Sequence, residues 1–124
     1  METTALYARL GGYDAIAAVT DELLARLRND PQLGVFWKGH SESSLRRDRQ
    51  LVVNYMCAAA GGPVFYTGRD MKTSHKGLGV SVSDCEVFMQ HACAVLEKFA
   101  VPMPERDEVL AFLTGLQGDV VERG

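Results

Sequence analysis

Apolar side chains recur at helical spacing along nearly the whole chain. Between Gly12 and Arg28 they fall at Ile16, Val19, Leu23, Leu24 and Leu27, one face of a helix. Asn29-Asp30-Pro31 stops that helix and caps a short one running through Leu33 and Phe36. Lys38 to Ser44 is rich in Gly, Ser and His and reads as a loop. A third helix is predicted from Ser43 to Ala60, with Leu45, Val52, Tyr55, Met56 and Ala59 on its apolar face. Asp48 and Arg49 project near that face, and Gln50 points away. Gly61-Gly62-Pro63 ends the helix. Pro63 to Gly79 has no long pattern and accommodates one or two helical turns, around Arg69 to Lys76. Ser83-Asp84-Cys85-Glu86 matches a capping box and opens a helix to Phe99. Its inward side chains are Phe88, His91, Ala92, Val95 and Leu96. After the Val101–Pro104 turn, a last helix from Glu105 to about Glu122 turns Val109, Phe112, Leu113, Leu116 and Val120 inward. No strand alternation, repeat or low-complexity segment is visible. The fold class is all-α, with four long helices and one irregular crossing.

Composition narrows the partners. A chain of 124 residues fits one domain, 1–124, and would leave two domains too small for good cores. With 13 basic against 16 acidic residues, the net charge is −3. No basic tract is longer than Arg46–Arg47, which argues against nucleic acid and against an anionic membrane surface. The uncharged stretch from Gln50 to Gly68 holds Asn54, Gly61, Gly62 and Pro63, so it does not read as a membrane span. The start, Met1 to Gly12, has no apolar core of a secretory signal. Cys57, Cys85 and Cys93 are odd in number and form no CxxC pair. A cytoplasmic protein without disulfides is the expectation. All three lie on predicted helices, mostly beside Ala or Val, and read as inert buried thiols. No GxSxG, P-loop or GxGxxG motif is present.

The three histidines carry the remaining chemistry. His75 lies on the short helix in the irregular stretch, with Met71 at i−4 and Leu78 at i+3. It reads either as a solvated side chain near a helix C-terminus or as an axial ligand of a haem iron. His91 lies between Phe88 and Val95 and reads as a core histidine with a satisfied hydrogen bond. His40 lies in the loop, solvated. Asp48 is the one polar anomaly beside an apolar face, and an exposed position is the preferred reading.

From Leu6 to about Val121 the chain resembles a group I truncated haemoglobin, a small haem-binding globin with a two-over-two helical sandwich. The markers are Leu6-Tyr7-Ala8-Arg9-Leu10-Gly11-Gly12, then Asp30-Pro31-Gln32-Leu33-Gly34-Val35-Phe36-Trp37. Gly61-Gly62-Pro63 and Tyr66-Thr67-Gly68 follow, then Met71-Lys72, His75 and Gly79-Val80. Their order and spacing together carry the resemblance. It implies haem b as cofactor and His75 as the proximal iron ligand, with the second imidazole nitrogen donating to a carbonyl or water. Phe36 and Trp37 match the paired aromatics that wedge the haem, where the second is usually Phe. Tyr66 and Lys72 match positions near the haem propionates. Met71, Leu78, Val80 and Phe88 match the proximal lining, and Val109, Phe112 and Leu113 a wall from the last helix. Val52 and Met56 belong to the same set of haem contacts.

The distal side departs from the family pattern. Leu24 stands where many relatives place an oxygen-binding Tyr, and Val52 where they place Gln. Leu51 stands where some relatives carry a sixth iron ligand, a role leucine does not serve. The remaining distal polar candidates are Trp37, ranked first for its indole N–H, then Asp48, Gln50, Tyr55 and His40. His40 is also a candidate internal sixth ligand. Small residues such as Ala58, Ala59 and Ala92 suit either a gas tunnel or close helix packing. The resemblance implies reversible binding of O2, NO or CO by a monomer or weak dimer, without nucleic acid or membrane. Many relatives oxidise nitric oxide with bound oxygen and an external reductase, so the resemblance leaves nitric oxide dioxygenase or weak peroxidase activity open. No flavin or nicotinamide motif stands in this chain. A haem-based gas or redox sensor acting through a protein partner is the alternative, and a helical protein without haem the plainest one.

Overall fold

The computed structural model describes residues 5–123. Met1 to Thr4, part of the start read as lacking a secretory leader, lie outside the described residues. The helices are α1 (Leu6–Arg9), α2 (Tyr13–Asn29), α3 (Glu42–Ala59), α4 (Met71–His75), α5 (Val82–Lys98), α6 (Met103–Gly115) and α7 (Gln117–Val120), with a 3-10 turn at Gly34–Trp37. Among the described residues there is no strand, only a single parallel bridge between Ser81 and Arg123. The expected all-α class is what forms.

Helix α2 is the centre of the packing. It lies against both α3 and α5, and α5 in turn packs on α6, giving two helix pairs laid over one another. Its two flanks feed two cores. Ile16 and Ala17 join Val53 and Cys57, while Leu23, Leu24 and Leu27 join Leu33, Ala92, Val95 and Leu113. Burying each of these larger side chains contributes about 1.5–3 kcal/mol.

Several boundaries differ from the sequence reading. The capping box of α5 is Ser81–Asp84, not one opened by Ser83. Ser81 Oγ accepts from the Asp84 N–H at 3.0 Å, and Asp84 Oδ2 accepts from the Ser81 N–H at 2.9 Å. Two serines stand two apart, and the one that also joins the tail bridge wins. The last helix is not continuous to Glu122. It begins two residues earlier, behind Pro102, and breaks after Gly115, with α7 as a separate turn. Helix α3 starts at Glu42, because Ser41 Oγ accepts from the Ser44 N–H at 3.1 Å.

The face of α3 also corrects an expectation. Val53 and Cys57, one turn apart, are the side chains fully shut away against α2. Val52, Tyr55 and Met56 are half-buried and Ala59 is exposed. The helix carries two apolar stripes, and hydropathy alone does not rank them. Beyond α3, Gly62 lies directly under the Tyr7 ring, leaving no space for a Cβ. With the Tyr7 N–H donating to the Ala60 carbonyl at 2.8 Å, this fastens α1 to the end of α3.

Candidate functional site

The short helix α4 interrupts the irregular stretch within the expected span of Arg69 to Lys76. Asp70 makes it possible: its Oδ1 accepts from the Thr73 N–H at 2.7 Å, capping the first turn. The Thr73 hydroxyl and then its N–H hold the Asp70 carboxyl below its ordinary range. His75 is the last residue of the helix and is half-buried.

The tautomer of His75 follows from its neighbours. Its Nδ1 lies 2.9 Å from the Met71 carbonyl oxygen and 3.0 Å from Ser74 Oγ. A carbonyl only accepts, so Nδ1 carries the proton. Ser74 Oγ donates to the same carbonyl at 3.2 Å. That leaves Nε2 as the nitrogen a metal would use.

Several of the expected haem contacts converge. Phe36, Trp37, Met56, Phe88 and Phe112 pack, partly buried, against the core that contains Leu24 and Leu113. Tyr55 extends the group: its ring lies 6.0 Å from Phe112 and meets Tyr66 edge-on at 5.1 Å. Burial, then Tyr66 and Asp119, pushes the Tyr55 phenol up, so it stays protonated and able to donate. The Tyr66 hydroxyl donates to the Arg69 carbonyl and so anchors its own loop. Val80 is buried at the entry to α5, Met71 and Val52 are half-buried, and Lys72 and Leu78 are exposed.

Of the distal polar candidates, Trp37 and Tyr55 belong to this group, whereas His40, Asp48 and Gln50 do not. His40 Nδ1 stands 3.4 Å from Asp48 Oδ2; His40 is exposed, as the loop reading expected, and Asp48 half-buried. Gln50 turns outward, its amide donating to the Tyr13 hydroxyl at 2.8 Å and to Asn54 Oδ1 at 3.0 Å. Leu51 is half-buried. Leu24, where a hydroxyl donor was the family expectation, is 7% exposed and surrounded by apolar side chains.

His91 is the core histidine expected. Its Nε2 lies 2.7 Å from Asp30 Oδ2. Of the thiols, Cys57 is buried, and burial pushes its pKa up, in line with an inert group. Cys93 is exposed and Cys85 intermediate, which corrects the reading of all three as buried.

An apolar cavity of about 130 Å³ lies among α1, α2, α3, α5 and α6, lined among others by Leu10, Val19, Met56, Val95 and Phe112. Ala59 and Ala92 line it and Ala58 does not. No residue of α4 reaches it. Sequence reasoning missed two features near His75. The Asp70 cap was legible in principle, as an Asp before a helical turn. The contacts of Glu122 and Arg123 had no local signal.

The family model for bacterial-like globins matches residues 5–122. The group 1 truncated haemoglobin GlbN of Mycolicibacterium paratuberculosis is 29% identical over 119 residues, 96% of this chain and 85% of that protein. The group 1 truncated haemoglobin GlbN of Nostoc commune is 25% identical over 118 residues, 95% of this chain and 98% of that protein. The truncated haemoglobin of Tetrahymena pyriformis in its Fe(III) form superposes with a TM-score of 0.86 at 19% identity, covering 95% of this chain and 98% of that one. The 2/2 haemoglobin of Synechococcus sp. PCC 7002, solved with haem covalently attached, gives 0.85 at 21% identity, covering 95% and 98%. The two-over-two fold is thereby shared, and the chain belongs to the bacterial-like globin family, whose general function is to hold haem and bind diatomic ligands on it.

Proposed function

We propose that residues 1–124 form a single globin domain that holds haem b through His75 and binds O2, or another diatomic gas, reversibly in the cytoplasm. The observation that carries this reading is the tautomer of His75. The chemistry of that donor fits an iron: an imidazole whose Nδ1 is engaged by the Met71 carbonyl at 2.9 Å, which leaves Nε2 for the metal. The haem supplies the iron that takes the gas. The chain supplies the rest.

In this reading Phe36, Trp37, Val52, Met56, Phe88, Phe112 and Leu113 exclude water from the macrocycle. Met71, Leu78 and Val80 cover its proximal side, and the exposure of Leu78 is the surface haem would remove. Lys72 and Tyr66 stand toward the propionates, with the Tyr66 hydroxyl shared with the Arg69 carbonyl. Half-buried Val52 and Tyr55 of α3 support this arrangement, since they lie outside the Val53–Cys57 stripe that is shut away against α2. On the distal side Leu24, Leu51 and Val52 offer no hydrogen-bond donor, leaving Trp37 and Tyr55, with Asp48 at the rim. The apolar cavity, lined in part by Met56 and Phe112, suits storage of a small apolar gas.

Cytoplasmic placement is supported by the free cysteines, and among the described residues no helix is long and apolar enough to cross a membrane. We read the chain as a monomer or weak dimer that depends on an external reductase to keep its iron ferrous. Nitric oxide consumption sustained only with such a reductase would add an enzymatic role. Titration of the apo-protein with haemin tests the core of the proposal. One equivalent should produce a sharp Soret band and then saturate. A spectrum of free haemin throughout would overturn it.

A further inference from the structure

The backbone that leaves His75 is held by the far end of the chain. Glu122 gives one carboxylate oxygen to each of two backbone donors: the Gly77 N–H reaches Oε2 at 2.9 Å and the Gly79 N–H reaches Oε1 at 2.8 Å. Both glycines have left-handed backbone, with φ of 84° and 69°. That conformation turns their N–H groups toward a single anion and disfavours any side chain. These two donors, Gly77 first, hold the Glu122 carboxyl below its ordinary range, so it is ionised at neutral pH.

The tie is reinforced around it. The Glu122 and Arg123 N–H groups donate to the Val80 carbonyl at 2.8 and 3.2 Å, and the Val82 N–H donates to the Arg123 carbonyl at 3.1 Å. Arg123 Nε donates to the Gly79 carbonyl at 2.7 Å. Within the held segment, the Leu78 N–H returns to the His75 carbonyl at 3.2 Å. Helix α4 has only five residues, too few to hold a conformation on its own. Asp70 fixes its beginning. Its end is fixed from outside, by the tail and by α7, which packs on it.

We propose that Glu122 is a positioning residue for the iron ligand: by holding Gly77 and Gly79 it sets the tilt of the His75 imidazole over the haem. The proposal rests on His75 being the proximal ligand. Resonance Raman spectra of the ferrous, haem-loaded protein read the iron–histidine bond directly. Glu122→Ala removes both acceptors. Glu122→Gln keeps the size and one acceptor, and sets an amide NH2 against the other donor. The iron–histidine band should shift or broaden in both, more in Glu122→Ala. Haem transfer to an acceptor globin should quicken roughly fivefold in Glu122→Ala, the scale of losing such hydrogen bonds. Glu22→Gln, which disturbs the distant pairs with Arg26 and Lys98, should leave the band unmoved.

A band of native position and width in both Glu122 variants would overturn the proposal, even with a lowered melting temperature, because Glu122 would then be a structural tie only. Should Glu122→Ala fail to retain haem, Glu122→Gln decides. Absence of the band from the unmodified protein would instead overturn the assignment of His75, and this proposal with it.

Discussion

Under the proposed function Leu24 faces the bound gas and decides how firmly it is held. A dioxygen ligand on ferrous haem draws negative charge, and a nearby donor stabilises it by about 1–3 kcal/mol when buried or charged. Leu24 is buried in the core cluster and brings no donor. Oxygen should therefore leave quickly. Leu24→Tyr should slow oxygen dissociation about tenfold, since 1.4 kcal/mol corresponds to one decade, and stopped-flow release measures it. An unchanged rate would show that the hydroxyl does not reach the ligand. Several other single residues were legible from sequence alone. His91 on an apolar stripe implied a satisfied hydrogen bond, and half-buried Asp30 is its partner at 2.7 Å. Asp48 read as exposed and is half-buried, its side chain 41% accessible. Cys93 was misread, because a thiol beside alanines looks the same on either side of a helix.

At the scale of elements, two acidic caps join helices that are distant in sequence. Asp30 closes α2, accepts from the Gln32 and Leu33 N–H groups at 2.7 and 3.0 Å, and meets His91 of α5. Asp84 opens α5 and accepts from the Gln32 amide at 2.6 Å. The His91 hydrogen bond, then the Leu33 N–H, holds the Asp30 carboxyl below its ordinary range. For Asp84, burial pushes up, but bonds from Ser81 and Gln32 outweigh it and the net direction is down. A carboxyl with a depressed folded pKa binds protons less readily than in the unfolded chain. Its stabilisation is full above the ordinary value near 4 and is lost as pH falls through the folded value. Thermal melts should thus be lower at about pH 3 than at pH 6, and Asp30→Asn should flatten that slope. An equal slope in the variant would remove Asp30 from the account.

The same scale explains what the pattern concealed. Helices α2, α3 and α5 were readable because each has a 3.6-residue apolar period. The buried stripe of α3 was not, because Val53–Cys57 and Val52–Met56 are equally apolar and only the neighbour chooses between them. The break after Gly115 was hidden because Leu116 and Val120 continue the period. The Glu122 contacts depend on a fold already formed.

For the whole molecule, the small core and the cofactor are coupled. The described residues bury only a modest set of large apolar side chains, with Leu78, Phe65 and Val35 left exposed. Haem binds the folded chain and not the unfolded one, which adds about 2.7 kcal/mol at a free concentration a hundred times Kd. The holo-protein should melt well above the apo-protein, with a midpoint that rises with haem concentration. Equal midpoints in calorimetry would show that the cofactor is not part of the core. The two-over-two architecture was legible only because ordered markers, from Leu6-Tyr7 to Gly79-Val80, carried the family resemblance; helical periodicity alone predicts a bundle without saying what it encloses.

All of this depends on His75. The most direct measurement is the resonance Raman spectrum of the ferrous protein beside that of His75→Gly, with and without added imidazole. The account predicts an iron–histidine band in the native protein, its loss in His75→Gly and its return with imidazole. A band that survives unchanged in His75→Gly would mean that another side chain holds the iron, and would contradict the account at its centre.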